Sequence, residues 1–130
     1  QLRNLQNRTG GITEFIPLPF VSMESPMYKR GHARPGPTFR EVLLMHAIAR
    51  LSLNPLITNI QASWVKLGQA GAEACLNAGV NDMGGTLMNE SISKAAGSIH
   101  GQEFTPEKME SFIKNSQRTP RLRDTLYNTI

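Results

Sequence analysis

The sequence has a single cysteine, Cys75, so no disulfide can form within the chain. A lone cysteine suits a reducing compartment, and we expect a cytoplasmic protein. The chain also lacks any apolar run near the roughly 20 residues that a membrane-spanning helix needs. No basic start followed by an apolar stretch marks a signal peptide. We therefore expect a soluble protein with no membrane partner.

Aromatic residues are scarce, at 6% of the chain, and this scarcity bears on how the positive charge is interpreted. The net charge is +4, yet only two groups of basic residues are close together in sequence: Lys29, Arg30 and Arg34, and then Arg118, Arg121 and Arg123. Neither group is interleaved with aromatic side chains, as a base-stacking surface requires. We interpret both groups as solvated surface and expect no nucleic-acid partner.

Familiar catalytic and metal-binding patterns are missing as well. The three histidines, His32, His46 and His100, have no ligand spacing between them, so we expect no metal site. The sequence contains no Ser-His-Asp arrangement, phosphate loop or dinucleotide fingerprint. Cys75 lies in an alanine-rich helical stretch, which is typical of a small buried hydrophobe. A site must therefore come from polar residues that the fold brings together.

Short apolar segments alternate along the chain with helical ones. Strands are predicted at residues 11–16, 56–61 and 80–83. Helices are predicted after a capping box at Thr38 and Glu41, over residues 69–78 and 89–96, and after Thr105. The first of these helices carries an apolar stripe: Leu44, Ile48 and Leu51. In the last helix, the inward-facing residues are expected to be Met109, Phe112 and Ile113.

Strands that alternate with helices predict parallel βαβ units, and hence an α/β fold. Such sheets bind ligands at the carboxyl ends of their strands. Four polar residues fall at or just beyond the predicted strand ends: Glu14, Gln61, Asp82 and Glu90. Asp82 and Glu90 also flank a glycine pair at which the backbone can turn sharply and approach a ligand. Either carboxylate could instead be an ordinary turn or cap residue.

The connection from residue 17 to residue 37 is long for a βα loop and holds five of the eight prolines. A loop of that length in a compact domain is usually functional or disordered, and the prolines favour a stiff path. We predict a lid over the strand ends, with Tyr28 and His32 able to reach into the site. Trp64, the only tryptophan, follows the second strand and is either a binding residue or a core filler.

Several motifs together resemble a known family. They are residues 9–20 (Thr-Gly-Gly-Ile-Thr-Glu-Phe-Ile-Pro-Leu-Pro-Phe), 36–38 (Gly-Pro-Thr), 61–64 (Gln-Ala-Ser-Trp), 79–86 (Gly-Val-Asn-Asp-Met-Gly-Gly-Thr), Glu90 and 100–103 (His-Gly-Gln-Glu). The combination is similar to the C-terminal part of the FO synthase family, in the subunit or domain that acts on tyrosine. The resemblance covers nearly the whole chain. Sister enzymes of menaquinone biosynthesis share the general layout.

The resemblance implies the C-terminal part of a radical SAM (β/α) TIM-like barrel, in an enzyme of deazaflavin cofactor biosynthesis. A [4Fe-4S] cluster there cleaves S-adenosyl-L-methionine, and the resulting radical takes a hydrogen from tyrosine. The 4-hydroxybenzyl group is then joined to 5-amino-6-(D-ribitylamino)uracil, and a partner subunit or fused domain cyclises the product. The implied candidates for binding substrate or S-adenosylmethionine are Glu14, Gln61, Trp64, Asp82 and Glu90.

The resemblance also limits what this stretch is expected to do alone. In this family three closely spaced cysteines provide the thiolates that hold the cluster. These cysteines would lie upstream of this stretch, in which Cys75 is the only cysteine. Since the chain also opens without Met, we expect residues 1–130 to be a fragment that binds no cofactor alone and is inactive. Two alternatives stay open. One is a sister radical SAM enzyme of menaquinone biosynthesis, and the other is a non-catalytic half-barrel that serves as a binding or scaffold module.

Overall fold

A computed structural model describes residues 1–87, 91–100 and 103–130. These residues are mainly helical, with α1 at Leu2–Thr9, α2 at Pro26–Lys29, α3 at Phe39–Leu53, α4 at Trp64–Asn77, α5 at Ile92–Ala95 and α6 at Pro106–Asn115. The helices predicted after Thr38 and Thr105 are confirmed as α3 and α6. Helix α2 lies inside the predicted lid, where no helix was expected. Helix α5 falls within the predicted helix at 89–96, whose first two residues lie outside the described ones.

The three segments predicted as strands lie side by side and run parallel. Phe15 pairs with Ile60, and Gln61 pairs with Asp82, each pair forming an isolated parallel bridge. The amide of Gln61 donates a 3.0 Å hydrogen bond to the carbonyl of Phe15. The second segment therefore lies between the first and the third, and the carboxyl ends of all three meet at one edge.

Regular strands do not form in the described residues, which departs from the predicted α/β sheet. Asparagine side chains bond to some of the backbone groups that a strand ladder would pair. Asn59 Nδ2 donates to the Thr13 carbonyl at 2.8 Å, and Asn81 Oδ1 accepts from the Ile60 amide at 2.9 Å. A side chain that occupies a backbone group competes with the ladder for it. The predicted TIM-like barrel is therefore not confirmed. The observed arrangement is a row of three parallel segments joined by single bridges.

Helix α3 buries a different face from the predicted one. Its capping box forms as expected, with the Glu41 amide donating to Thr38 Oγ1 and the Thr38 amide donating to the Glu41 carboxylate. The buried residues, however, are Val42, His46, Ala49 and Leu53. The predicted apolar stripe is exposed: Leu44, Ile48 and Leu51. Because this helix is apolar on both sides, its periodicity did not identify the face that meets the core.

The core joins the parallel segments to α3, α4 and α6. Its most deeply buried side chains include Ile57, Ile60, Ala62, Ala72, Cys75 and Phe104. Phe104 packs edge-on against Trp64, with ring centroids 5.2 Å apart, and against Phe112, at 5.7 Å. Cys75 is a buried hydrophobe, as predicted, and burial raises the pKa of its thiol to about 11. Of the predicted inward residues of α6, Met109 is buried, and Phe112 and Ile113 pack against the core.

Helix α4 begins earlier than predicted and is kinked. It starts at Trp64, and Gly68, with φ of 68° and ψ of 177°, interrupts it. The helix predicted at residues 69–78 corresponds to the part after the kink. A Cβ at Gly68 would lie 2.6 Å from His100 Nδ1, so only glycine leaves room for that ring. Across the described ranges, no helix has both the length and the apolar character that crossing a membrane requires.

Arg50, near the end of α3, fixes this helix to the second and third parallel segments. Its Nε donates to the Gly79 carbonyl at 2.6 Å, Nη1 to the Thr58 carbonyl at 2.7 Å, and Nη2 to Asn81 Oδ1 at 2.6 Å. Gly79 has φ of 106°, and a Cβ there would lie 2.8 Å from Arg50 Cγ. The close approach therefore depends on glycine. These contacts set the position of the segment that carries Asp82.

Candidate functional site

The carboxylate of Asp82 lies at the end of the third parallel segment, with only 5% of its side chain exposed. Its Oδ2 accepts a hydrogen bond of 2.6 Å from Arg123 Nε, and its Oδ1 accepts one of 2.5 Å from the Gly84 amide. Gly84 has φ of 72°, a conformation that favours glycine. Because a buried charge is costly unless it is paired, Arg123 and the Gly84 amide together stabilise the carboxylate. Asp82 thus lies where the sequence predicted, although its partner was not foreseen.

Arg123 holds its guanidinium in the same place through several contacts. Besides the bond from Nε to Asp82, Nη1 donates to the Asp124 carbonyl at 3.0 Å. The guanidinium carbon lies 4.0 Å from the centre of the Tyr127 ring, which is a cation–π contact. Nη2 lies 3.9 Å from Glu14 Oε2, near enough for an ion pair but too far for a hydrogen bond. The hydrogen bond with Asp82 is the main cause that raises the pKa of Arg123.

Glu14, at the end of the first parallel segment, faces Tyr127 as well as Arg123. The phenol of Tyr127 donates a hydrogen bond of 2.6 Å to Glu14 Oε2. Burial, together with this bond, raises the pKa of the Tyr127 phenol far above its usual range, so the phenol remains a donor. Tyr127 also has φ of 66°, which is uncommon for a residue other than glycine. Backbone strain of this kind is often found at functional sites.

Residues 118–130, which we call the C-terminal arm, deliver Arg123 and Tyr127 to the three parallel segments. Arg123 forms an isolated antiparallel bridge with Thr129. Between them Asp124 closes a turn, since its carboxylate accepts from the amides of Leu126 and Asn128. Sequence reasoning missed this arm and placed Arg123 on a solvated surface, which was wrong. The only signal was the cluster of three arginines near the C-terminus.

Gln61 and Trp64 both contact the glycine turn that follows Asp82. A Cβ at Gly84 would lie 2.5 Å from Gln61 Nε2, so this amide packs directly on the turn. Trp64 Nε1 donates to the Gly85 carbonyl at 3.1 Å. The indole is buried against Phe104, and the geometry favours a core residue that also fixes the turn. The structure therefore groups Glu14, Gln61 and Asp82 at one edge, with Trp64 behind them.

Two parts of the segment predicted as a lid line a separate cavity of about 400 Å³. Residues 19–23 and 35–37 line one side of it, and residues 98–100 line another. Tyr28 and His32 are exposed, and no hydrogen bond in the described ranges joins either of them to Asp82 or Glu14. The structure thus does not bring these two residues to the candidate site. Glu90, the other predicted carboxylate, lies outside the described residues.

A metal centre has no support in the part of the chain that the structure describes, where no group of three or more His, Cys, Asp or Glu side chains could hold an ion. Cys75 is unsuited to binding a metal ion, because its buried thiol has a raised pKa and metal ligation needs the thiolate. The arrangement at the ends of the parallel segments is instead suited to binding a polar organic ligand. Two carboxylates, a guanidinium and a phenol can recognise charged groups of either sign.

The family of this chain is shown by its similarity to known proteins. Residues 9–130 match the family described as the CofH/MqnC C-terminal region. The chain belongs to this family. It is 51% identical over 130 residues to the 5-amino-6-(D-ribitylamino)uracil–L-tyrosine 4-hydroxyphenyl transferase of Methanopyrus kandleri, an alignment that covers 100% of this chain and 35% of that protein. It is also 52% identical over 126 residues to the FO synthase of Mycobacterium leprae, covering 97% of this chain and 15% of that protein.

A second archaeal relative shows the same likeness. The transferase of the same name from Methanothermobacter thermautotrophicus is 50% identical over 129 residues, covering 99% of this chain and 35% of that protein. The chain thus spans about a third or less of the length of these relatives. The predicted resemblance to the C-terminal part of the FO synthase family is therefore confirmed.

Proposed function

We propose that this chain is the C-terminal part of a radical SAM transferase of deazaflavin cofactor biosynthesis, which joins the 4-hydroxybenzyl group of tyrosine to 5-amino-6-(D-ribitylamino)uracil. One observation carries the proposal. Half of the residues, over essentially the whole chain, are identical to those of archaeal proteins named for transfer from L-tyrosine to this uracil. The enzyme is proposed to be cytoplasmic and to pass its product to a cyclising partner subunit or fused domain.

The parallel row of segments supports a β/α barrel as the fold of the complete enzyme. Barrel enzymes place their reactive groups at the carboxyl ends of parallel strands. Glu14 and Asp82 lie near the carboxyl ends of the first and third parallel segments, and Gln61 of the second segment is bridged to Asp82. The site that this chain contributes would therefore face the centre of the barrel.

The proposed role of these residues is to bind and orient substrate. Asp82 is buried and paired with Arg123, so it fixes the position of that guanidinium, while Glu14 is partly exposed and can contact a ligand directly. A radical reaction depends on holding the reacting carbon at one distance from the group that attacks it, which fixed polar anchors provide. None of these side chains needs to transfer a proton for that purpose.

The residues of this chain do not fit a [4Fe-4S] cluster. Such a cluster is held by cysteine thiolates, whereas Cys75 is the only cysteine and is fully buried with a raised pKa. We propose that the cluster and S-adenosylmethionine are held by other parts of the complete enzyme. The chain of 130 residues is then expected to be inactive by itself. Anaerobic reconstitution that gave it a cluster and turnover would contradict this part of the proposal.

The proposed function is tested with the complete polypeptide that carries these residues, purified and reconstituted without oxygen. With S-adenosylmethionine, tyrosine and 5-amino-6-(D-ribitylamino)uracil, it should form 5′-deoxyadenosine and a 4-hydroxybenzyl adduct of the uracil, detected by mass spectrometry. Omission of either tyrosine or the uracil should abolish the adduct. If tyrosine gave no adduct, the proposal would be wrong. Activity on a menaquinone precursor would then favour the alternative of a sister radical SAM enzyme of menaquinone biosynthesis.

A non-catalytic scaffold is the remaining alternative. The closely paired polar groups at the ends of the parallel segments count against it, because a scaffold has no need of a buried carboxylate at that edge. The same assay decides between the two, since a scaffold would release no 5′-deoxyadenosine with any substrate.

A further inference from the structure

The guanidinium of Arg123 is held firmly on two edges, and no hydrogen bond to its third edge occurs among residues 1–87, 91–100 and 103–130. Nε is bonded to Asp82 at 2.6 Å and Nη1 to the Asp124 carbonyl at 3.0 Å. Nη2 points toward Glu14 but stops 3.9 Å from Oε2. Charge-assisted hydrogen bonds between such groups are normally about 2.7–2.9 Å long. Arg123 and Glu14 therefore stand side by side as a separated pair, and each has hydrogen-bonding capacity that their contact with each other does not use.

Exposure distinguishes the two carboxylates of this cluster. The Asp82 side chain is 5% exposed, whereas that of Glu14 is 32% exposed and that of Arg123 is 27% exposed. Asp82 thus orients Arg123 from the buried side, and the solvent side presents one donor group next to one acceptor group.

We propose that Arg123 and Glu14 bind the main-chain end of a free α-amino acid, with Arg123 Nη2 donating to the carboxylate and Glu14 accepting from the ammonium. A zwitterion carries these two charges on neighbouring atoms, which matches a cation and an anion held side by side. The inference rests on the proposed function, which supplies tyrosine as the amino acid. It assigns a recognition role to the C-terminal arm, which sequence reasoning had left on the surface.

The arm is built to keep that arrangement in place. Tyr127 stacks under the guanidinium at 4.0 Å and donates to Glu14 Oε2, so a single residue contacts both members of the pair. Its raised phenol pKa keeps it a donor at all ordinary pH values. Tyr127 is therefore a positioning residue, and Arg123 and Glu14 are the residues that would touch the ligand. A site whose polar groups are fixed beforehand loses less freedom on binding.

The test measures how well the complete enzyme binds three related phenols by isothermal titration. L-Tyrosine has both charged groups, tyramine lacks the carboxylate, and 3-(4-hydroxyphenyl)propanoate lacks the ammonium. The variant R123K keeps a positive charge beside Asp82 but loses the planar fork that reaches toward Glu14. We expect R123K to weaken tyrosine binding by roughly 10- to 100-fold. Tyramine binding should be unchanged.

The matched variants make the result specific. E14Q should weaken tyrosine and tyramine, which carry the ammonium, and leave the propanoate unchanged. R121K changes an exposed arginine of the same arm and should alter none of the three affinities. If R123K lowered tyrosine and tyramine affinity equally, or lowered neither, the inference would be overturned. Adduct formation by the wild-type enzyme separates this inference from the proposed function. If the wild type forms the adduct from tyrosine but R123K does not weaken tyrosine binding selectively, only the inference is contradicted.

Discussion

Tyr127 donates a hydrogen bond of 2.6 Å to Glu14, across 113 residues of sequence. This contact joins the C-terminal arm to the first parallel segment, and the bond from Arg123 to Asp82 joins the same arm to the third. Residues from the first and last parts of the sequence therefore meet at the carboxyl ends of the segments. The candidate site therefore forms only in the folded chain. Measurements of the free energy of unfolding can thus test the contacts that hold the site together.

The first prediction concerns Tyr127 and alkaline pH. Burial and the bond to Glu14 raise the pKa of this phenol in the folded chain, so the folded state holds the proton more tightly than the unfolded state does. The stability that results is fully present below the ordinary tyrosine pKa of about 10 and is lost as pH rises above it. Wild type should thus lose more unfolding free energy than Y127F between roughly pH 9 and pH 11.

Urea unfolding at several pH values measures this difference. Y28F, which changes an exposed tyrosine, should behave as wild type does. Cys75, whose pKa is raised to about 11, titrates in the same range but contributes equally to all three proteins. Identical pH slopes for wild type and Y127F would show that the phenol is not held as described.

The second prediction concerns the contacts of Arg50. This side chain makes three hydrogen bonds of 2.6–2.7 Å to the second and third segments. Lysine cannot reach three separate acceptors, and a hydrogen bond to a charged group contributes about 1.5–3 kcal/mol. R50K should therefore lower the free energy of unfolding by at least about 1.5 kcal/mol in urea titrations. R40K, on an exposed position of the same helix, should have little effect, and a loss equal to that of R50K would refute the role of these contacts.

The third prediction concerns the exposed apolar stripe of α3. Leu44, Ile48 and Leu51 lie on one helix face and are 47%, 57% and 83% exposed. Because exposed apolar surface of this kind promotes association, the isolated chain should self-associate as its concentration rises. Replacing all three residues with Gln should shift sedimentation toward the monomer, whereas R40Q should not. A wild-type chain that stayed monomeric at every concentration would contradict this expectation.

Much of the site could be predicted from sequence because it follows from local patterns. Glu14, Gln61 and Asp82 were placed at the ends of apolar segments, and these segments do run parallel and end together. The sheet itself could not be predicted well, since Asn59 and Asn81 bond through their side chains where a ladder would use backbone groups. The hydrophobic periodicity of the sequence does not reveal that side chains will take the place of backbone groups in this pairing.

The rest of the site depends on contacts between residues far apart in sequence. Arg123 meets Asp82 over 41 residues and Tyr127 meets Glu14 over 113. The arm has no helical or strand period, and its arginines look like a solvated cluster when the partners are unknown. The buried face of α3 was missed for another reason. Because this helix has apolar residues on both sides, its hydrophobic periodicity does not indicate which face packs against the core.

The most direct test of the account is the rate of tyrosine-dependent product formation by the complete enzyme with D82N. Asparagine keeps the shape of Asp82 and can still accept from the Gly84 amide, but it removes the charge that orients Arg123. We predict that kcat/KM for tyrosine falls by roughly 10- to 100-fold, the equivalent of one charge-assisted hydrogen bond. E73Q, which removes a carboxylate from an exposed position of α4, should leave it unchanged. If folded D82N kept parental turnover at limiting tyrosine, Asp82 would be only a turn residue, and the site described here would be wrong.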